Sequence, residues 1–220
     1  LVIATGCTYS DPRGRAVNEE GIVEDRDTRI REIHATRKKM KAAMKVLIIG
    51  GGPAGVELAG ELVTDFPSLK VTLVSSRLLL PEFRSSVGED AQKFLESKNV
   101  KVVLNDRVVL PVRGTSATTE AGQDVSADLV FNCARSTPNT EFMKPHLAAP
   151  LGADGRIAVD EFLRVEGLTN VFALGDINNV AVFKTGYNAT LQAEHTVANL
   201  RKLFQHPPAE LKAFSPGAAV

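Results

Sequence analysis

The sequence predicts an α/β fold built around a parallel sheet, and three observations predict it. Residues 45–63, KVLIIGGGPAGVELAGELV, run an apolar strand into three consecutive glycines and then a helix. Strand (46–49), helix (53–65) and strand (70–74) follow with the short links of a βαβ unit. Further on, DLVFNCA (128–134) returns as a buried strand, an apolar run bounded by polar and turn-forming residues.

The other elements follow in chain order. Residues 1–5 read as a strand that Gly6 ends, and the polar, Gly-containing stretch 11–24 as a loop. A helix is expected over 25–43, with Arg37-Lys38-Lys39-Met40-Lys41 at its end, where the helix dipole favours cations. After a loop at LLLPEF, Ser86-x-x-Glu89 has capping-box spacing and opens a helix to about Lys98, followed by a strand at 100–104. Alternation near 107–112 and 115–119, then a turn at Gly122, predicts a small antiparallel crossover sheet. RIAVD and NVFALGD read as two more short strands, and a last helix runs from about Gly186 to Phe204, stopped by Pro207-Pro208. The opening LVIATG starts inside a strand pattern without an initiator methionine, so the chain reads as a fragment of something longer.

Composition excludes several classes. The 220 residues are 44% hydrophobic and 24% charged with zero formal net charge, ordinary globular values with no general pull toward nucleic acid. Cys7 and Cys133 form no CxxC or CxxxxC pair, and the four histidines show no ligand spacing, so no metal site is expected. No apolar run approaches the roughly 20 residues that cross a bilayer.

Gly50-x-Gly52-x-x-Gly55 gains its meaning from position, after a strand and at the start of a helix within a βαβ unit. It predicts a Rossmann-like dinucleotide site: Gly50 for the tight turn, Gly52 for backbone approach to a pyrophosphate, Gly55 for helix–strand packing. Pro53 and Ala54 complete the turn, and the helix N-terminus offers N–H groups to the anion. An NAD site places an acid about 20 residues on to hold the ribose 2′-OH. Here that place holds Ser75, Ser76 and Arg77, whose hydroxyls and guanidinium could accept a 2′-phosphate, so NADPH is accepted without strict discrimination. Arg77 reads equally as a solvated surface charge. Glu57 is either an acid stabilising the helix dipole or a carboxylate facing the cofactor; Glu61 is read as structural. In TNVFALGDINN, Gly175-Asp176 ends an apolar strand, where glycine permits close ligand approach and the carboxylate can accept from a sugar-like hydroxyl.

ATG (4–6), GGGPAGVE (50–57) and NVFALGD (170–176) occur in the order used by two-dinucleotide-domain flavoprotein oxidoreductases of the pyridine nucleotide-disulfide superfamily. With GGGPAGVELAGEL, VTLVSS and LKAFSPGAA, the chain most resembles the apoptosis-inducing-factor-like, ferroptosis-suppressor type of NAD(P)H–quinone oxidoreductases, with type II NADH dehydrogenases a near second. The resemblance implies an FAD/NAD(P)-binding fold with two dinucleotide-binding domains, the FAD domain incomplete. Residues 1–39 would be an FAD-domain return segment and linker helix, 40–152 the NAD(P)H domain, and 153–220 the C-terminal part of the FAD domain. Thr5, Gly6, Gly175 and Asp176 would lie at the FAD, and Lys184 near the flavin, where the last helix would aim its N-terminal end.

The implied activity is hydride transfer from NAD(P)H to FAD, then electron delivery to a quinone-like acceptor, in a cytoplasmic protein with peripheral membrane contact through parts this chain lacks. Without the family's N-terminal glycine-rich segment the chain is expected to hold FAD poorly. CARSTPN carries Arg135 where many relatives have glycine, while Asn139 after Pro138 fits the family pattern. Two alternatives stand: a disulfide- or ferredoxin-type reductase of the same superfamily, and a non-catalytic nucleotide-binding regulatory protein. Oligomeric state is not readable.

Overall fold

The computed structural model describes residues 1–9, 25–112, 114–134, 136–143, 151–205 and 209–215. The loop expected over 11–24, Arg135 and the Pro207-Pro208 stop lie outside the described residues. The chain divides into two compact units, Leu1–Thr8 with Ser136–Val220, and Tyr9–Arg135.

The second unit carries the parallel sheet. Strands β3 (Lys45–Ile49), β4 (Lys70–Val74), β5 (Lys101–Val103) and β6 (Leu129–Asn132) lie in the order β5-β4-β3-β6, all parallel. Side chains alternate across a strand, and β3 uses both faces. Val46 and Ile48 pack with Leu73, Phe131 and the helices; Leu47 and Ile49 pack with Val74, Val103 and the crossover residues Val108, Ala117, Val125 and Ala127. Each such Val, Leu, Ile or Phe side chain taken from water stabilises the fold by about 1.5–3 kcal/mol.

Helix α2 (Pro53–Asp65) starts with Pro at its first position, where the missing N–H costs nothing. Gly55, Ala59, Leu62 and Val63 form its buried stripe, at the spacing one helix face requires. Helix α3 (Ser85–Ser97) begins two residues earlier than the capping box needs: Arg84 occupies the N-cap without a side-chain hydrogen bond, and Ser86 lies inside the first turn. Helix α1 (Arg26–Ala42) is capped by Asp25, whose Oδ1 accepts from Thr28 N at 2.8 Å, and buries none of its residues. The crossover is antiparallel as expected but narrow, with isolated bridges Val108–Thr119 and Thr118–Asp124 around the Gly122 turn (φ +83°).

In the first unit, β1 (Val2–Ile3) pairs in parallel with β8 (Phe172–Ala173), and β2 (Cys7–Tyr9) pairs with β7 (Ser136–Pro138). Ile3, Met143, Ile157, Val165, Val171, Ala173 and Ile177 form its core. RIAVD was expected as a strand, but only Ile157 and Val159 make isolated bridges. Asp160 ends the run: its Oδ1 accepts from Phe162 N and Arg164 N, both at 2.9 Å, an alternative to ladder pairing. Helix α4 (Gly186–Gln205) closes the unit and turns Gln192, Thr196 and Asn199 inward.

Candidate functional site

The glycine turn opens on a cavity of about 570 Å³ at the C-terminal ends of β3 and β4. Its four glycines are there for different reasons. Gly50 has φ +114° and donates its N–H to Val74 O at 2.8 Å; a β-carbon on it would lie 2.9 Å from Ala134 N. A β-carbon on Gly51 would lie 2.5 Å from Ser75 Oγ, and one on Gly55 would collide with the Gly50 carbonyl. A β-carbon on Gly52 would meet nothing within 4 Å, so this glycine faces open space in the cavity wall. Gly52 is also the N-cap of α2, and no side chain caps the helix there. Uncapped N–H groups and their partial positive charge suit an anion, and the open face at Gly52 is a cradle that a β-carbon would fill. The turn therefore fits the pyrophosphate of a dinucleotide.

Of the residues expected at this ligand, Gly50, Gly52, Ser75, Ser76 and Arg77 line the cavity. Pro53, Ala54, Gly55 and Glu57 lie on α2 outside the wall, with Glu57 exposed. Ser75 is buried: its Oγ donates to Leu78 O and accepts from Arg77 N, both at 3.4 Å, which shapes the loop after β4. Ser76 is exposed, and the Arg77 guanidinium lies 3.5 Å from Glu82 with 69% of its side chain exposed. Sequence reasoning missed Asp106, Arg107 and Glu120, which the crossover brings into the same wall. Their only signal was the Asn105-Asp106 pair at the end of a strand, with Asn105 at φ +54°.

In the first unit Thr5 and Gly6 lead into Cys7, whose Sγ donates to the Asp176 carbonyl at 3.4 Å, and Lys184 is tied to Asn178 at the end of the Gly175–Ile177 turn. Asn139 ties down the ATG segment: Nδ2 donates to Thr5 O (2.8 Å), its N–H donates to Gly6 O (3.0 Å), and Oδ1 accepts from Thr8 Oγ1 (2.7 Å). Gly6 sits at φ +63° with nothing within 4 Å of an added β-carbon. Gly175, at φ +78°, opens a 3₁₀ turn over Gly175–Ile177, and its N–H donates to the buried Gln192 Oε1 at 2.8 Å. Asn178 Nδ2 donates to the same oxygen and to Ala173 O.

Arg156 was not anticipated. Its Nε donates to the Asp176 carbonyl at 3.0 Å, Nη1 pairs with Asp154 at 2.7 Å, and Nη2 donates to Ser136 Oγ at 3.2 Å and to Cys7 Sγ at 3.9 Å. Burial pushes the Cys7 thiol up, against the opposing pull of Arg156. Lys184 Nζ donates to Asn178 O (2.8 Å), Val180 O (2.9 Å) and Asn178 Oδ1 (3.3 Å), a set that matches its three N–H donors. Burial, then the charge of Arg156, lowers its pKa. The start of α4 is capped by Thr185, whose Oγ1 accepts from Asn188 N at 3.2 Å. No group of three or more His, Cys, Asp or Glu able to hold a metal occurs among the described residues.

A parallel sheet whose first strand–helix turn is a glycine cradle over a cavity defines an α/β dinucleotide-binding protein. A family model described as pyridine nucleotide-disulphide oxidoreductase matches residues 1–196. The chain belongs to that family. It is 30% identical over 230 residues to ferroptosis suppressor protein 1 of Homo sapiens, with 99% of this chain and 59% of the relative covered. It is 29% identical over 217 residues to apoptosis-inducing factor homolog B of Dictyostelium discoideum, covering 88% of this chain and 55% of the relative. Among solved structures, an NAD-dependent persulfide reductase from A. fulgidus is similar with a TM-score of 0.70 at 24% identity, covering 97% of this chain and 40% of that one. The chain thus spans a little over half the length of these curated relatives.

Proposed function

We propose that this chain is the reductant-binding part, with an adjoining part of the FAD site, of an FAD-dependent NAD(P)H oxidoreductase. The observation that carries the reading is the open, uncapped cradle at Gly52 above the cavity, in a chain whose family model matches residues 1–196. Gly50, Gly52 and Gly55, with Pro53 and Ala54, hold the pyrophosphate turn, and Ser75, Ser76 and Arg77 receive the adenosine ribose or its 2′-phosphate. Thr5, Gly6, Gly175 and Asp176 would hold part of the FAD, with the Asp176 carboxylate accepting from a hydroxyl of the cofactor and Gly175, at φ +78°, allowing the turn that carries it. Bound FAD supplies the electron exchange between nicotinamide and acceptor that no side chain can perform. Gln192, Asn178 and Lys184 hold the Gly175–Ile177 turn in one geometry, and the Lys184 ammonium adds positive charge to that site. The likeness to ferroptosis suppressor proteins, and the motif resemblance, support a quinone-like acceptor. That acceptor fits a cytoplasmic enzyme that meets a membrane peripherally; no helix among the described residues is long and apolar enough to cross one.

The test is made on the full-length gene product. It should carry flavin absorbance and oxidise NADPH faster when a soluble quinone is added. A flavin-bearing protein that reduces a disulfide or a ferredoxin and ignores quinones would move the acceptor assignment. A colourless protein that binds NADPH and never oxidises it would refute the enzyme.

A further inference from the structure

Helix α1 carries seven Lys and Arg residues against two acids, Asp27 and Glu32, in a chain whose formal charge is zero. The rest of the chain is therefore net acidic, and the helix is a local concentration of positive charge. One face of it turns to the protein. Arg29, Glu32, Thr36 and Met40, at helical spacing, are half-buried, and Met40 and Ala43 pack against the core shared by β3, β4 and α2. Glu32 is engaged on that face, 3.1 Å from Arg29 Nη1. The opposite face is exposed: Arg26, Ile30, Ile33, Arg37 and Lys41 follow one another along it, with Arg31 and Lys38 alongside. Asp27 is the one acid on this face among the described residues.

Such a face complements an anionic phospholipid surface. Each Lys or Arg brought close to one strengthens binding about fivefold. Ile30 and Ile33, 38% and 56% exposed, stand between Arg26 and Arg37 on the same stripe. Apolar side chains set among cations can enter the boundary between headgroups and acyl chains. A nucleic-acid backbone would use the cations alone and leave the two isoleucines against phosphate, so the apolar pair favours the lipid. Because Met40 and Ala43 anchor the helix to the core, it can meet a membrane side-on while the domain stays folded.

We propose that the outer face of α1 is a docking surface for an anionic phospholipid membrane. The inference rests on the reading of this protein as an oxidoreductase that meets a membrane peripherally, and it names a surface within this chain that does so. It is tested by co-sedimentation of the full-length protein with phosphatidylcholine vesicles, plain or carrying about 30 mol% phosphatidylserine. Wild type should bind the anionic vesicles at least about tenfold more strongly, and the difference should shrink as salt rises to about 0.5 M. The combined Arg37→Gln, Lys38→Gln and Lys41→Gln variant loses three exposed cations and should bind the anionic vesicles about a hundredfold more weakly. Ile33→Ser should bind them about fivefold more weakly, with the salt dependence unchanged. Lys93→Gln with Lys98→Gln, at the end of α3, should stay within about twofold of wild type, which separates the face from net charge. A triple variant that binds like wild type, or a wild type indifferent to phosphatidylserine, overturns the proposal. So does a DNA duplex that displaces the vesicles and binds Ile33→Ser as tightly as wild type, which would give the face to nucleic acid. NADPH oxidation with a soluble quinone should be the same in wild type and the triple variant. Its absence from wild type would refute the proposed function, an outcome distinct from a failure to bind vesicles.

Discussion

Gly50→Ala and Gly52→Ala add the same methyl group two residues apart and should fail in opposite ways. At position 50 alanine must hold φ +114° with its β-carbon 2.9 Å from Ala134 N and 3.0 Å from Ala134 Cα, and backbone is not a neighbour that can turn aside. A sparsely populated backbone region costs about 1–3 kcal/mol. Overpacking adds about 1–3 kcal/mol. At roughly 2–4 °C per kcal/mol for a chain of this size, the melting temperature should fall by about 5–20 °C. At position 52 the backbone is at φ −75°, ψ 179°, open to any residue, and the new methyl meets no atom of the protein. Alanine is a poorer N-cap than glycine but restricts the unfolded chain, so stability should stay within about 1 kcal/mol. The methyl instead fills the cradle, and NADPH affinity should fall about tenfold or more. The assays are a thermal melt followed by circular dichroism and a calorimetric NADPH titration. Wild-type affinity in Gly52→Ala would show that no pyrophosphate lies there, and a Gly50→Ala melt within 2 °C of wild type would refute the backbone argument.

Two further perturbations test the scaffold. Gln192→Leu leaves the Gly175 N–H and the Asn178 amide without their shared acceptor, which should cost about 2–4 kcal/mol and appear as an earlier thermal transition of the first unit; an unshifted melt would mean the Gly175 turn is held by other contacts. Asp128 Oδ2 accepts from Met44 N and Lys45 N, both at 2.8 Å, at the start of β3, and these two donors hold its pKa low. A depressed folded pKa contributes stability above the unfolded value of about 3.9 and loses it as pH falls through the folded value. Asp128→Ala should therefore lower the melting temperature at pH 7 and flatten its acid decline below about pH 4, and equal acid slopes would count against this.

The βαβ unit was legible because one run of residues satisfied several demands at once. KVLII is apolar enough to be buried on both faces, and the glycine spacing, the proline at the helix start and the stripe on α2 agree with it. Ser86 shows the limit: a two-residue capping signature does not fix where a helix begins when the close approach of Gly88 to the Leu79 carbonyl also constrains it. β2 and β7, CTY and STP, carry no apolar alternation, and only partners more than a hundred residues away make them strands. The same holds for the site. Gly50, Gly52 and Ser75–Arg77 could be read from position along one strand–helix–strand run. Asp106 and Arg156 could not, because their roles depend on Thr119 and Ala121 in one case and on Cys7, Ser136 and Asp176 in the other.

The charges around the cavity bear on which reductant it prefers. Its wall holds two guanidinium groups, Arg77 and Arg107, against three carboxylates, Glu82, Asp106 and Glu120, a formal balance of minus one facing a polyanionic ligand. Affinity for NADPH must then come from the glycine turn, the helix start and local contacts rather than from a cationic field. Arg77, exposed and 3.5 Å from Glu82, can strengthen a 2′-phosphate contact by only about 1 kcal/mol in water, about fivefold in affinity. Arg77→Ala should weaken NADPH binding by about that factor and leave NADH within twofold. Glu82→Gln should do the reverse, tightening NADPH a few-fold by releasing Arg77 and removing a like charge. Both effects should shrink in high salt, since the groups are exposed. Equal losses for NADPH and NADH in Arg77→Ala would place the 2′-phosphate away from Arg77, and the preference would then rest with Ser76 and the backbone of its loop.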